Sequence, residues 1–435
     1  MAEKLPKILA ISLSAWRNDS NAHTQTDLFQ FWSPDRVAQI YTKSLLPDTS
    51  VCHEFFQIAE NSVIKSVFTR NPAGREVSNG ATSSTTSQKA VEQERKIYAF
   101  GHKRRSLFLI FARELFWLLG NWRTKALDQF IEKTAPDVYF VPIYPVVYMG
   151  MIQRYILKKY PRPYICYLAD DNYSYLNCHT PLSYLHRWWL RKYIKNLAEN
   201  CTEMFTITKN EAEDTDRHFG THSVVLTKGI DYTGLSYQEI KPEMPLRMVY
   251  TGSLIIGRDS SLAAISKALA NINRDGTKIT LDIYSPTELS GKTMELLNSN
   301  GCRHHGNVPR EQIPEIQKAA DIVVFAESLE KRHRYAAKLS FSTKLTDYFK
   351  SGKCIFAIGD AAIAPIEYLK ENDAAIIATD YQDVEKILRR LLAEPQLLNH
   401  YGKNAFECGR KNHNSELIKS RFISTILSAC TKGKD

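Results

Sequence analysis

Nowhere does this sequence run for about 18 uncharged apolar residues, the length a bilayer-spanning helix needs, so no spanning segment is expected. Cysteines show no pairing by spacing. All eight (Cys52, Cys166, Cys178, Cys201, Cys302, Cys354, Cys408 and Cys430) are scattered, and none forms a CxxC. Cys166 and Cys354 sit in apolar, strand-like runs, where a thiol behaves as a small hydrophobe. That pattern excludes a disulfide framework and points to the cytosol. The twelve histidines lack zinc spacing. Their one adjacent pair, His304 and His305, would point to opposite faces of a strand, so no metal is expected. The opening MAEKLPKILAISLSA has no clear small-residue cleavage site and reads as a first buried strand. A nucleic-acid recognition motif is also missing, so no nucleic-acid partner is expected.

What is present is a globular mixture, 43% hydrophobic and 24% charged, over 435 residues. That length suggests two or three domains. The net charge of +10 is concentrated: from Gly101 to Lys195 there are fifteen Lys and Arg against six Asp and Glu. The same block is rich in aromatics. A helix near 103–122, SLFLIFARELFWLLGNW, is unusually apolar; Lys103, Arg104 and Arg105 precede it, and Arg123 and Lys125 follow. A second helix, roughly 181–199, presents Tyr184, Trp188, Trp189 and Tyr193 with Arg187, Arg191, Lys192 and Lys195. Aromatics interleaved with bases are what an interfacial helix uses on an anionic leaflet. The alternative is two core helices with a solvated basic edge. The first reading predicts a peripheral protein at an anionic membrane surface, released by salt.

Along the chain, apolar runs of strand length alternate with helical periodicity. DVYFVPIYPVV, PYICYLADD, EMFTITKN and SVVLTKGI read as strands between helices. Residues 70–95 are polar and Gly/Ser/Thr-rich and read as a mobile insertion loop. DYTGLSYQEIKPEMP lacks periodicity, and after it a fresh series begins with LRMVYTGSL and runs through KITLDIYS, DIVVFAES, CIFAIG and AAIIAT. A β/α alternation implies a parallel sheet covered on both faces. The expected architecture is therefore α/β: two Rossmann-like domains, 1–240 and 241–410, facing each other across a cleft. Residues 411–435 would form a C-terminal helix packing back on the first domain.

Three segments could carry chemistry. In YTGSLIIGRDSSL a strand ends at Tyr250 and leads through Gly252, Ser253 and Gly257 to a helix capped by Asp259 or Ser260. Free N–H groups at that helix start attract phosphate, and Arg258 beside them could neutralise a diphosphate. The plain alternative is a strand–loop–helix with a solvated arginine. In LSFSTKLTDYFKSGK, Ser342 or Thr343 reads as an N-cap and Gly352 as a stop, with Lys344 and Asp347 one turn apart on one face. A lysine at a helix N-terminus opposes the dipole unless an anion meets it. A carboxylate one turn later suits two ribose hydroxyls, or else the two form an ordinary ion pair. In YICYLADDNY, a strand end delivers Asp170 and Asp171, and paired acids can bind a metal, act as a base, or cap a turn.

With these residues in view, the chain resembles retaining family-four glycosyltransferases of the GT-B fold, particularly those of bacterial surface-polysaccharide synthesis. The resemblance is clearest in the C-terminal half. Gly252 matches the family's strand-end glycine, Ser253 replaces its arginine, and Arg258 falls where its lysine belongs. Lys344-Leu345-Thr346-Asp347-Tyr348 is similar to the Lys-Leu-x-Glu-Tyr pattern of polysaccharide-cluster members, with Asp347 as the ribose-binding acid. The family's first glutamate would fall at Leu339. The segment around Asn307 and Val308 is similar to the stretch lining the nucleotide-base pocket. The first loop, SLSAWRNDSN, lacks the glycines that usually face the donor phosphates.

The resemblance implies transfer of a hexose-type sugar from a nucleotide-sugar donor to a glycan or lipid-linked glycan, with retention and without a metal or other cofactor. Arg258 and Lys344 would stabilise the departing diphosphate, and Asp170 or Asp171 would orient the acceptor hydroxyl. It implies a cytoplasmic protein at the inner membrane face. Two rivals remain: a sugar-nucleotide 2-epimerase of the same fold, for which no converging acid–base set is visible, and a non-catalytic nucleotide-sugar-binding protein, suggested by Ser253 and Leu339.

Overall fold

A computed structural model describes residues 5–18, 24–79, 107–176 and 178–432. The chain divides into two compact units, residues 1–227 with 419–435, and residues 228–418. The second unit thus begins earlier than the loss of periodicity near 240 suggests. Residues 228–240 are tied to it: Ile230 N donates to His413 O at 2.7 Å, and Tyr237 Oη donates to Asn399 Oδ1 at 2.7 Å.

The first unit is built on strands β1 (Ile8–Ile11), β2 (Val37–Tyr41), β3 (Glu54–Gln57), β4 (Arg75–Ser78), β5 (Val138–Pro142), β6 (Tyr164–Leu168), β7 (Glu203–Thr206) and β8 (Ser223–Val225). They form one eight-stranded sheet in the order β4-β3-β2-β1-β5-β6-β7-β8. Every pairing is parallel except β3 with β4. In β2 and β5 every residue is buried, as expected of strands covered on both faces. β4 takes up part of the stretch read as an insertion loop; residues 80–95 of that loop, and Lys103, Arg104 and Arg105, lie outside the described residues. All six tryptophans fall in this unit. The helix Ser415–Lys432 supplies it with Phe422, whose ring lies 5.1 Å from Phe29 and 5.7 Å from Phe205.

The apolar stretch of the basic block forms the helix Leu107–Leu119. Its Glu114 is fully buried and accepts hydrogen bonds from Val147 N at 3.3 Å and Tyr148 N at 2.8 Å. These are the first residues of the helix Val147–Lys159, whose own N-cap, Val146, makes no side-chain cap bond. A carboxylate at that position satisfies otherwise orphaned N–H groups and sits at the positive end of the helix dipole. Arg113 pairs with Glu114 at 3.1 Å, and Trp117 stacks on Tyr148 at 4.4 Å. Glu114 is therefore directed into the core and Arg113 lies largely buried against it. Among the described residues, no helix is long and apolar enough to cross a membrane.

The second unit holds β9 (Leu246–Thr251), β10 (Ile279–Tyr284), β11 (Cys302–Gly306), β12 (Ile322–Ala326), β13 (Cys354–Ile358) and β14 (Ile376–Ala378). They form an all-parallel sheet, ordered β11-β10-β9-β12-β13-β14. The order reverses between β9 and β12. A crevice at the carboxyl ends of strands opens at such a point, and this is where open α/β sheets bind ligands.

Candidate functional site

The carboxyl ends of β9 and β12 bring together several of the residues that the sequence singles out, with one that it does not. After Thr251 the chain turns through Gly252, with φ at 136°, and Gly257, with φ at 73°, into the helix Arg258–Ile272. Gly257 is the N-cap of this helix, so Asp259 and Ser260 lie inside its first turn rather than capping it. A Cβ at Gly252 would overlap the ammonium of Lys344, and one at Gly257 would collide with the hydroxyl of Ser328. Both positions also need a backbone region that L-residues avoid.

Arg258 is held by Glu327, the first residue after β12. Arg258 Nη2 donates to Oε1 at 2.8 Å and Nε to Oε2 at 3.1 Å, a bidentate pair with a buried carboxylate. That pairing occupies one edge of the guanidinium and leaves its Nη1 side uncommitted to Glu327. Burial opposes the charge on Arg258, but Glu327 more than offsets it, and the guanidinium is held above its ordinary value. Lys344 Nζ donates to Tyr250 Oη at 3.2 Å and lies 4.8 Å from the centre of that ring. Burial, followed by the charge of Arg258, pulls the Lys344 ammonium down to about 8, with Glu327 working the other way. Tyr250 is itself fixed by donating to Ser253 O at 2.7 Å. The structure thus gathers Gly252, Arg258, Lys344, Tyr250 and Glu327 into one cluster with an excess of positive charge.

The remaining sequence-derived residues are placed as follows. Ser253 Oγ lies 3.3 Å from Thr287 Oγ1. Ser342 is the N-cap of the helix Thr343–Ser351, but its side chain makes no cap bond; Thr343 is exposed. Asp347 is half-exposed and accepts from Lys228 Nζ at 3.2 Å, a partner the sequence reading did not identify. Leu339, where the family's first glutamate would fall, is buried. Asn307 and Val308 follow β11; Asn307 is exposed and Val308 half-buried, beside a stack of Tyr284 on His305 at 4.6 Å.

Asp170 and Asp171 follow β6 in the first unit. Asp171 Oδ1 accepts from Ser174 N at 2.8 Å and its other oxygen from the Ser174 hydroxyl, so this carboxylate closes a turn. Asp170 is solvent-exposed but crowded by surrounding protein. That partial burial, then the charge of Asp171, pushes its carboxyl up to about 6. The Asp170 carboxylate is not the one that Ser174 engages, and its proton affinity is raised.

Residues 264–419 match the family model described as glycosyl transferase-like. No curated protein matches the sequence. Among solved structures, sucrose-phosphate synthase from Thermosynechococcus elongatus superposes with a TM-score of 0.60 at 10% identity, over 97% of this chain and 98% of that one. Anabaena Alr3699/HepE in complex with UDP-glucose gives 0.58 at 12% identity, over 97% and 100%. TarM gives 0.52 at 11% identity over 68% of this chain, which spans 57% of TarM's length. The fold is GT-B, and the matched segment is glycosyltransferase-like.

Proposed function

We propose that this chain transfers a hexose-type sugar from a nucleotide-sugar donor to a glycan or lipid-linked glycan acceptor, with retention, in surface-polysaccharide synthesis at the inner membrane face. The observation that carries the reading is the pairing of Arg258 and Lys344 around Tyr250 at the topological switch point of the second unit. When a nucleoside diphosphate departs, negative charge grows on the phosphate oxygens. The free edge of Arg258, the Lys344 ammonium and the N–H groups starting the helix Arg258–Ile272 would stabilise it where it develops. These groups neutralise a diphosphate without calling on a metal. Asp347 would take the ribose hydroxyls, exchanging or sharing its contact with Lys228, and the strand end at Asn307 and Val308 would receive the base. Asp170 would orient the acceptor hydroxyl. The UDP-glucose bound by HepE makes UDP-sugars the first donors to try.

The test is calorimetric titration with UDP and with UDP-hexoses, followed by assay for acceptor-dependent release of UDP. Arg258→Ala and Lys344→Ala are each expected to weaken UDP binding by about 1.5–3 kcal/mol. Unchanged affinity in both folded variants would remove the diphosphate assignment. Interconversion of two sugar nucleotides without acceptor would favour an epimerase instead.

A further inference from the structure

The first unit carries a broad apolar surface that its described residues leave uncovered. On the helix Leu107–Leu119, Phe108, Leu115 and Leu119 recur at helical spacing on one face; Phe108 is 74% exposed and Leu119 60%. Phe68, 75% exposed, extends this face from the neighbouring helix Glu60–Thr69, its ring 6.3 Å from Phe116. The helix Pro181–Asn200 adds exposed Leu182, Leu185 and Trp188. Phe111 joins the two helices, its ring stacked 6.2 Å from Trp189 and set edge-on 5.6 Å from His186. Exposed leucines scattered singly are ordinary; a contiguous patch of this kind marks an interaction site.

The charge rimming the patch is mainly basic. Lys192 Nζ lies 3.7 Å over the Trp188 ring. Arg154 and Lys192 flank a groove of about 370 Å³ lined by Phe111, Trp188, Trp189 and Tyr193. Arg191 lies 5.1 Å from the centre of the Tyr175 ring. Lys195, one turn beyond Lys192, is exposed and paired only to Glu199, while Glu114 is turned into the core.

We infer that this face docks on an anionic lipid bilayer, with Phe68, Phe108, Leu115, Leu119, Leu185 and Trp188 entering the acyl boundary and Arg154, Lys192 and Lys195 meeting lipid phosphates. A second copy of the chain is the poorer occupant. A two-fold interface would set Arg154, Lys192 and Lys195 against their own copies, with Glu114 turned into the core and Glu199 already paired to Lys195. The structure also changes what binding should look like. Bases alone predict full release by salt, whereas a base-rimmed apolar face predicts that part of the binding survives it. This inference rests on the first unit and does not depend on the transferase reading.

The experiment is co-sedimentation of the full chain with phosphatidylcholine vesicles and with vesicles also containing phosphatidylglycerol, at low and high salt. Three proteins are compared: the parent, an apolar-face variant (Phe68→Ser, Phe108→Ser, Leu115→Ser, Leu119→Ser) and a charge variant (Arg154→Gln, Lys192→Gln, Lys195→Gln). All apolar positions chosen are exposed, and thermal unfolding with parallel UDP titration checks that each protein is folded. The parent is expected to favour anionic vesicles by roughly tenfold or more and to retain part of its binding at high salt. Each variant should lose about tenfold in partitioning, and only the charge variant should lose its preference for anionic lipid. Equal partitioning of parent and apolar-face variant would overturn the inference. So would a lipid-free dimer, seen by sedimentation velocity, that the apolar-face substitutions dissolve. Vesicle binding without UDP binding would sink the transferase reading alone.

Discussion

Lys344 is a cation kept in surroundings that favour its neutral form. Its ammonium is pulled down to about 8, first by burial and then by Arg258, so a bound diphosphate would restore its charge. The sign follows from linkage. In the empty protein this group disfavours folding below about 8 and ceases to do so as pH rises, because the unfolded lysine keeps its proton longer. Diphosphate binding runs the other way: it takes up a proton, so affinity should be level around pH 7 and fall above pH 8, approaching tenfold per pH unit. Calorimetry in buffers of different ionisation enthalpy reads the proton uptake, which should vanish in Lys344→Ala. Glu327 allows a test in which charge and position disagree. Removing a carboxylate from an anion site should tighten UDP binding if only net charge matters. If Glu327 aims Arg258, Glu327→Ala should instead weaken it about tenfold, as loss of a bidentate hold implies. Glu327 escaped the sequence reading because it is one of two glutamates in ESLEK. Only the register of β12 beside β9 sets it against Arg258. Lys228 was hidden for a related reason, lying 119 residues from Asp347 in the chain. Gly252, Arg258 and Lys344 were legible because strand–glycine–helix spacing and a lysine placed against a dipole are local signals.

At the scale of elements, Glu114 shows how one helix begins on another's side chain. The helix Val147–Lys159 has no cap of its own and borrows a buried carboxylate from the helix Leu107–Leu119. Glu114→Ala should therefore destabilise the first unit by about 3–5 kcal/mol, since it strands Arg113 and two helix N–H groups together. Chemical denaturation should show the loss as a lower midpoint at unchanged slope; a change under about 1 kcal/mol would mean the cap is dispensable. No sequence pattern announces such a cap, because donor and acceptor lie 33 residues or more apart. Other elements were unreadable for lack of pattern. Arg75–Ser78, largely exposed, has no alternation of apolar residues and is a strand only because β3 offers it an edge. The central parallel strands were legible because burial on both faces demands unbroken apolar runs such as VYFVP and IVVFA.

For the molecule as a whole, the chain's end returns to the first unit. Phe422 is buried among Phe29, Phe140, Phe205 and Trp32, rings from far earlier in the chain. Phe422→Ala should cost about 3–5 kcal/mol of first-unit stability. At temperatures where the variant stays folded, its UDP affinity should equal the parent's, because every residue of the proposed diphosphate cluster lies in residues 228–418. A matched loss of both would mean that the two units share more than a chain. The uneven placement of tryptophan gives such experiments a convenient optical property. With all six indoles in the first unit, their fluorescence is blind to the folding of the second except through neighbouring effects. Trp16, Trp32, Trp117 and Trp122 are buried, a constant blue background against which exposed Trp188 stands out. A shift of the emission edge on adding vesicles would therefore be assignable to Trp188 and its half-buried neighbour Trp189, both on the proposed docking face, without introducing any label.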